Sequence, residues 1–243
     1  MKKLILANWK MHLSFKESEK LARDYRVQIK NSTAELGVFP DFSALEVVGR
    51  NLPTKLFKLG AQDLAPYLKG AYTGEVSATS LKQLGVKYVL VGHSERRQEF
   101  KEKSPLLRLK VQAALEAGLV PVLCIGENAS QKKAGKTAAV LRRQLEEVLF
   151  GLRIEKDDAL VVAYEPLWAI GSGKALEASE AEAIQVTIKG VLANLIGRFP
   201  RVVYGGSVSP KNAAAFLEWP NIDGLLVGGA SLKAAEFKKI ISG

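Results

Sequence analysis

The chain has 243 residues, of which 47% are hydrophobic and 25% charged; it is too apolar for disorder and long enough to bury a sizeable core. A formal charge of +10 raises the question of nucleic acid, but the basic pairs (Lys2-Lys3, Arg96-Arg97, Lys132-Lys133, Arg142-Arg143, Lys238-Lys239) are dispersed, without an aromatic-interleaved stripe, which argues against such a partner. One cysteine, Cys124, rules out an intramolecular disulfide, and with only His12 and His93 available no Cys/His zinc cluster can form, so no metal is expected.

The start of the chain briefly imitates a signal peptide, but Asn8, Lys10 and His12 cut the apolar run short of a signal core or a membrane span. A cytoplasmic protein with no membrane partner is the expectation. Eight short apolar runs follow one another at 4–8, 36–39, 57–62, 88–92, 120–126, 160–165, 202–205 and 224–228, each leading into a helix-like segment. Continuous Val/Ile/Leu runs suit strands covered on both faces, and helical patterns between them favour parallel crossovers. No linker or low-complexity tract interrupts the series, so residues 1–243 read as one α/β domain, a (β/α)8 barrel of eight parallel strands with surrounding helices. A doubly wound open sheet is the competing architecture. Ser104-Pro105 and Ser209-Pro210 each read as an N-cap with proline in first helical position, Ser179-Glu180-Ala181-Glu182 as a capping box, and Gly118 as a helix stop. The stretch 31–57 has the weakest boundaries.

In a barrel, residues at the C-terminal ends of strands face one mouth. The first run ends in Asn8 and Lys10, the fourth in His93 and the sixth in Glu165. The seventh enters Gly205-Gly206-Ser207, and the eighth Gly228-Gly229-Ala230-Ser231. Two glycine turns after the last two strands suit a phosphate, since backbone N–H groups can approach an anion there. His93 precedes a short helix whose positive end disfavours imidazolium, so a neutral ring that donates to a substrate oxygen is expected. Glu165 is followed by Pro166-Leu167-Trp168-Ala169-Ile170-Gly171-Ser172-Gly173-Lys174-Ala175, a stiff start and a glycine-rich tip that read as a lid behind a base. Cys124 lies within an apolar run and reads as a small buried residue. The P-loop, nucleophile-elbow and dinucleotide patterns all fail, so no cofactor is expected. The set suits proton abstraction next to the carbonyl of a small phosphorylated substrate.

Asn8-Trp9-Lys10-Met11, Gly92-His93-Ser94-Glu95-Arg96-Arg97, Ala163-Tyr164-Glu165-Pro166-Leu167-Trp168-Ala169-Ile170-Gly171, Tyr204-Gly205-Gly206-Ser207-Val208 and Leu226-Val227-Gly228-Gly229-Ala230-Ser231-Leu232 resemble, in order and spacing along the whole chain, the motifs of the triosephosphate isomerase family. The resemblance implies a TIM barrel that interconverts dihydroxyacetone phosphate and glyceraldehyde 3-phosphate through an enediolate. This family is itself a standard worked case for a glutamate base beside a neutral histidine. By matching position, Glu165 is the base, His93 the electrophile, Lys10 the countercharge to the enediolate and Asn8 its polar neighbour. The resemblance likewise gives Gly171, Ser207, Gly228 and Gly229 the phosphate, and has Ile170 and Leu226 press on the base when the lid closes. Two departures stand out: Ser172 where the family usually has threonine, and Asp63 where it mostly has asparagine.

The stretch 64–76 is long for a barrel loop and carries Tyr67, Leu68 and Tyr72 with little nearby to bury them, which suggests a partner surface. The family resemblance implies that this loop, with Thr73 and Glu75, docks beside the strand-one lysine and the histidine of a second identical subunit. A homodimer is the expectation. Another sugar-phosphate barrel enzyme, or a non-catalytic phosphate-binding barrel, would share the glycine turns and remains the alternative.

Overall fold

The computed structural model of the protein describes residues 2–169 and 175–242. Strands β1 (Leu4–Asn8), β2 (Glu35–Phe39), β3 (Phe57–Ala61), β4 (Val86–Val91), β5 (Val120–Ile125), β6 (Val161–Tyr164), β7 (Arg201–Tyr204) and β8 (Gly224–Val227) pair in parallel and in sequence order. The sheet closes when β1 also pairs with β8, Leu4 opposite Gly224. The eight apolar runs are thus the eight strands, and closure disposes of the open-sheet alternative.

Strand residues alternate between two cores, which is why each run is apolar throughout. Leu4, Leu6, Phe39, Tyr88 and Leu90 belong to the cluster that fills the barrel. Ile5, Ala7, Val89 and Val91 belong instead to the layer shared with the helices. Those helices are α1 (Phe15–Gln28), α2 (Leu45–Asn51), α3 (Ala78–Gln83), α4 (Ser94–Glu99), α5 (Ser104–Glu116), α6 (Ala129–Lys133), α7 (Thr137–Leu149), α8 (Ala178–Ile196), α9 (Ala213–Leu217) and α10 (Ala234–Ser242). In the weakly bounded stretch 31–57, a short 3-10 turn at Phe42–Ala44 leads into α2.

Helix termini correct three expectations. Ser104 does not cap α5: it is the first helical residue, Lys103 is the cap, and the Ser104 hydroxyl donates to Glu147 Oε2 at 2.6 Å instead. Ser209 is followed by a turn, in which Asn212 Oδ1 accepts from Ser209 N at 2.8 Å, and the helix is delayed to Ala213. The capping box at Ser179 is absent, because Ser179 already lies inside α8 and Glu182 is engaged by the backbone and side-chain amides of Asn221. Capping boxes form instead at Ser14/Glu17 and Asn128/Gln131. Gly118, with φ of 68°, follows the end of α5 as expected.

The N-terminal end of the barrel is floored by polar groups. Glu35, at the start of β2, accepts from Lys87 Nζ (2.7 Å), Tyr88 OH (2.6 Å) and Arg201 Nη1 (2.9 Å). Burial pushes the Glu35 carboxyl up, but those donors outweigh it and bring it down to about 2. Among the described residues no helix is long and apolar enough to cross a membrane.

Candidate active site

The opposite, C-terminal end of the barrel carries a cavity of about 450 Å³. Asn8, Lys10, His93, Glu165, Ser207, Leu226, Gly228 and Gly229 all line it, so the structure gathers the expected catalytic, phosphate-turn and clamp residues that it describes. Ile170, Gly171, Ser172, Gly173 and Lys174 lie outside the described residues.

Glu165 follows β6 directly and is 2% exposed. Its N–H donates to Ile125 O at 2.7 Å, which continues the strand pairing one residue past β6. Gly126 permits that approach, since a Cβ there would stand 1.8 Å from the Glu165 carbonyl oxygen. Oε2 accepts from Ser94 N at 2.9 Å, and Oε1 lies 3.2 Å from His93 Nε2.

His93 caps α4, with Nδ1 accepting from Glu95 N at 3.4 Å. An acceptor at Nδ1 places the ring proton on Nε2, so the Nε2–H points to Glu165 and is the donor this ring can offer a substrate oxygen.

Lys10 adopts φ of 53°, one of two non-glycine residues among those described with positive φ. Such strain persists where surroundings over-determine it. Here Asn8 Oδ1 accepts from Lys10 N at 3.0 Å, and Gln62 Nε2 donates both to Lys10 O (2.7 Å) and to Phe39 O (2.9 Å). The ammonium group pairs with Glu95 Oε1 at 2.5 Å. Burial raises the Glu95 carboxyl, but the hydrogen bond from the Lys10 ammonium outweighs it and the carboxyl lies below its ordinary value.

The described residues that follow Glu165 are tied to side chains just past β5 and β7. Glu127 Oε1 accepts from Trp168 Nε1 (2.9 Å) and Tyr164 OH (3.2 Å), and the Ser207 hydroxyl donates to Ala169 O at 2.6 Å. The Lys132 ammonium sits 4.5 Å from the centre of the Trp168 ring. Pro166, Leu167 and Ala175 flank these contacts without entering the cavity lining.

A second cavity, of about 430 Å³, shares Asn8, Lys10 and His93 with the first and opens towards Met11, Phe42 and Phe100. Met11 is 91% and Phe100 68% exposed. The 64–76 loop is closed at its base by Ala65 N donating to Val76 O (2.8 Å) and carries stacked Tyr67 and Tyr72 rings, 4.4 Å apart. Asp63, at the root of this loop, does not remain an isolated charge. Lys110 Nζ reaches it at 2.6 Å and Arg96 Nη2 at 2.9 Å, and Glu102 shares both cations. Burial still holds the Asp63 carboxyl above its ordinary value, whereas in Glu102 the cations outweigh burial and lower it.

Cys124 is buried, and burial pushes its thiol well up, as a small core residue. Sequence reasoning missed Ser94, Glu95, Gln62 and Glu127 as supports of the site. Glu95 sits inside the quoted His93 motif, and Gln62 and Glu127 stand just past strand ends, where reading every strand end would have found them. Ser94 acts through its backbone and carries no side-chain signal.

Among known sequences, the family described as Triosephosphate isomerase matches residues 3–243. A triosephosphate isomerase of Thermoanaerobacter pseudethanolicus is 43% identical over 243 residues, covering 98% of both chains. Those of Coxiella burnetii and Bordetella pertussis are each 44% identical, over 98% of this chain and 95% and 96% of theirs.

Proposed function

Since the chain belongs to the triosephosphate isomerase family, we propose that it interconverts dihydroxyacetone phosphate and glyceraldehyde 3-phosphate, with Glu165 as base, His93 as electrophile, and Lys10 and Asn8 as the polar partners of the developing charge. The observation that carries this reading is the Glu165 carboxylate, buried, held by Ser94 N and His93 Nε2, and facing the cavity that Lys10 and the Gly228-Gly229 turn also enter.

In this reading the substrate oxygens take the place that Glu165 Oε1 occupies on His93 Nε2, and Glu165 removes a proton from the carbon beside the carbonyl. The negative charge moves onto the oxygens, where the Nε2–H donor and the Lys10 ammonium stabilise it in a site shielded from water. Glu165 returns that proton to the neighbouring carbon while His93 Nε2 passes the hydroxyl proton from one oxygen to the other, so a carbonyl forms where the hydroxyl stood, a hydroxyl where the carbonyl stood, and the product is the isomeric triose phosphate. The phosphate rests on Ser207, Gly228, Gly229 and Gly171, away from the reacting carbons. By the family resemblance, Leu226, which lines the cavity, and Ile170 would press on the base.

We further propose a homodimer, located in the cytoplasm. The Tyr67/Tyr72 knob, with Thr73 and Glu75 beside it, and the hollow lined by Met11, Phe42 and Phe100 are complementary features of one chain, and a two-fold pair would bury each in the other. Thr73 would then approach Lys10 and His93 of the second subunit.

A coupled assay that consumes glyceraldehyde 3-phosphate tests the reaction. Glu165→Asp should retain the fold and KM but lose about a hundredfold in kcat, because the carboxylate withdraws by about 1 Å. Near-normal turnover would remove Glu165 as the base. An aldolase using this cradle would leave a borohydride-trapped lysine adduct, which this reading excludes.

A further inference from the structure

The turn from Gly228 to Ser231 owes its shape to bonds made behind the cavity as well as within it. Ser231 donates twice to Gly228 O, through its N–H at 2.8 Å and its hydroxyl at 2.6 Å, closing the turn on itself. The Ser231 carbonyl in turn accepts from the hydroxyl of Tyr25 at 2.5 Å, a contact that spans 206 positions of sequence. Tyr25 lies on α1 and is fully buried.

Three rings fix the position of that hydroxyl. Phe237 of α10 stacks on Tyr25 at 5.0 Å and 9°, Trp9 meets it edge-on at 5.6 Å and 89°, and Phe57 of β3 lies 5.6 Å away. Trp9 stands between Asn8 and Lys10, and α10 follows the turn directly. One tyrosine thus joins the strand that presents the ammonium group to the turn that presents the glycine amides. Burial pushes the phenol pKa up, which leaves the hydroxyl a donor at any working pH. For packing alone a phenylalanine would serve, because a buried hydroxyl costs free energy unless it is bonded.

We propose that Tyr25 is a positioning residue for the substrate phosphate: by holding the Ser231 carbonyl, its hydroxyl sets the turn at the height from which Gly228 and Gly229 offer their N–H groups. The proposal rests on reading that turn as the phosphate cradle. Hydrogen bonds from backbone amides to a phosphate oxygen are short and charge-assisted, so a shift of the turn by a few tenths of an ångström weakens them. The reacting carbons, held by Glu165 and His93 across the cavity, are not displaced.

The test is Tyr25→Phe, which keeps the ring stack and removes one oxygen. KM for glyceraldehyde 3-phosphate and the inhibition constant of inorganic phosphate should rise together, by about five- to twentyfold, with kcat within about threefold. Turnover of glyceraldehyde, which has no phosphate, should be unchanged, and amide exchange should quicken at 229–232 while α1 keeps its protection. A variant with unaltered phosphate inhibition and turn protection would overturn the proposal, as would equal losses on the phosphorylated and unphosphorylated trioses. Gly229→Pro separates this from the underlying reading: it deletes one amide donor where an added Cβ meets nothing within 4 Å. If phosphate inhibition survives that change intact, the cradle itself is wrong and the role of Tyr25 falls with it.

Discussion

Replacing Gly205 by alanine should displace the proposed base without replacing any group that reacts. A Cβ built at Gly205 would stand 2.9 Å from Glu165 Cγ and an ordinary 3.5 Å from Tyr164 O. Carbon atoms settle about 3.5–4.0 Å apart, so Cγ must retreat by roughly 0.5–1 Å. The backbone cannot share the movement, because Glu165 N is bonded to Ile125 O at 2.7 Å and Gly205 N to Tyr164 O at 2.8 Å. The displacement therefore passes into the carboxylate and its bonds to Ser94 N and His93. A misplacement approaching 1 Å costs on the order of a hundredfold, so kcat should fall by roughly 10- to 100-fold with KM changed far less. Overpacking should cost about 1–3 kcal/mol of stability, a few degrees in Tm. Gly190→Ala, in α8 with open space around it, is the control and should be neutral or slightly stabilising. Coupled kinetics and thermal unfolding on both variants decide the matter. A folded Gly205→Ala enzyme with kcat within about threefold of the parent would refute the steric argument.

Lys110→Met should destabilise the protein by about 3–5 kcal/mol, since it leaves Asp63 and Glu102 sharing Arg96 alone; a loss below about 1 kcal/mol in urea unfolding would contradict the buried network. Glu35 has its folded pKa lowered from 4.5 to about 2, so its stabilisation is complete above the unfolded value and lost as the pH falls from about 4.5 to 2. Discounted for partial exposure, it is worth about 1–2 kcal/mol, and Glu35→Gln should flatten the acid limb of stability against pH by that amount. Shortening 68–74 should give a soluble monomer with greatly reduced activity; sedimentation that finds an active dimer in the shortened protein would defeat the proposed interface.

What was legible in the sequence followed from periodicity and position. Unbroken apolar runs mark strands buried on both faces, and a barrel sends their last residues to one rim, so Asn8, Lys10, His93, Glu165, Ser207 and the Gly228-Gly229 pair could be grouped before any coordinates. Helix starts were less legible, because a Ser-Pro or Ser-x-x-Glu pattern records local preference while Glu147 and Asn221 are tertiary partners that draw the same groups elsewhere. The supports of the site were illegible for a related reason. Ser94 contributes a backbone N–H, and the Tyr25 hydroxyl meets a carbonyl 206 positions away, pairings that only the closed fold creates.

The pairing of β1 with β8 gives the barrel a temporal consequence as well as a geometric one. In the order of synthesis Asn8 and Lys10 precede Gly228 and Gly229 by almost the whole barrel. Until β8 inserts between β7 and β1, both flanking strands keep an open edge and the anion-binding corner has only one of its walls. A nascent chain can therefore carry Glu165, His93 and Lys10 and still lack the wall that Gly228 and Gly229 supply. That corner is complete only once the sheet has closed on itself.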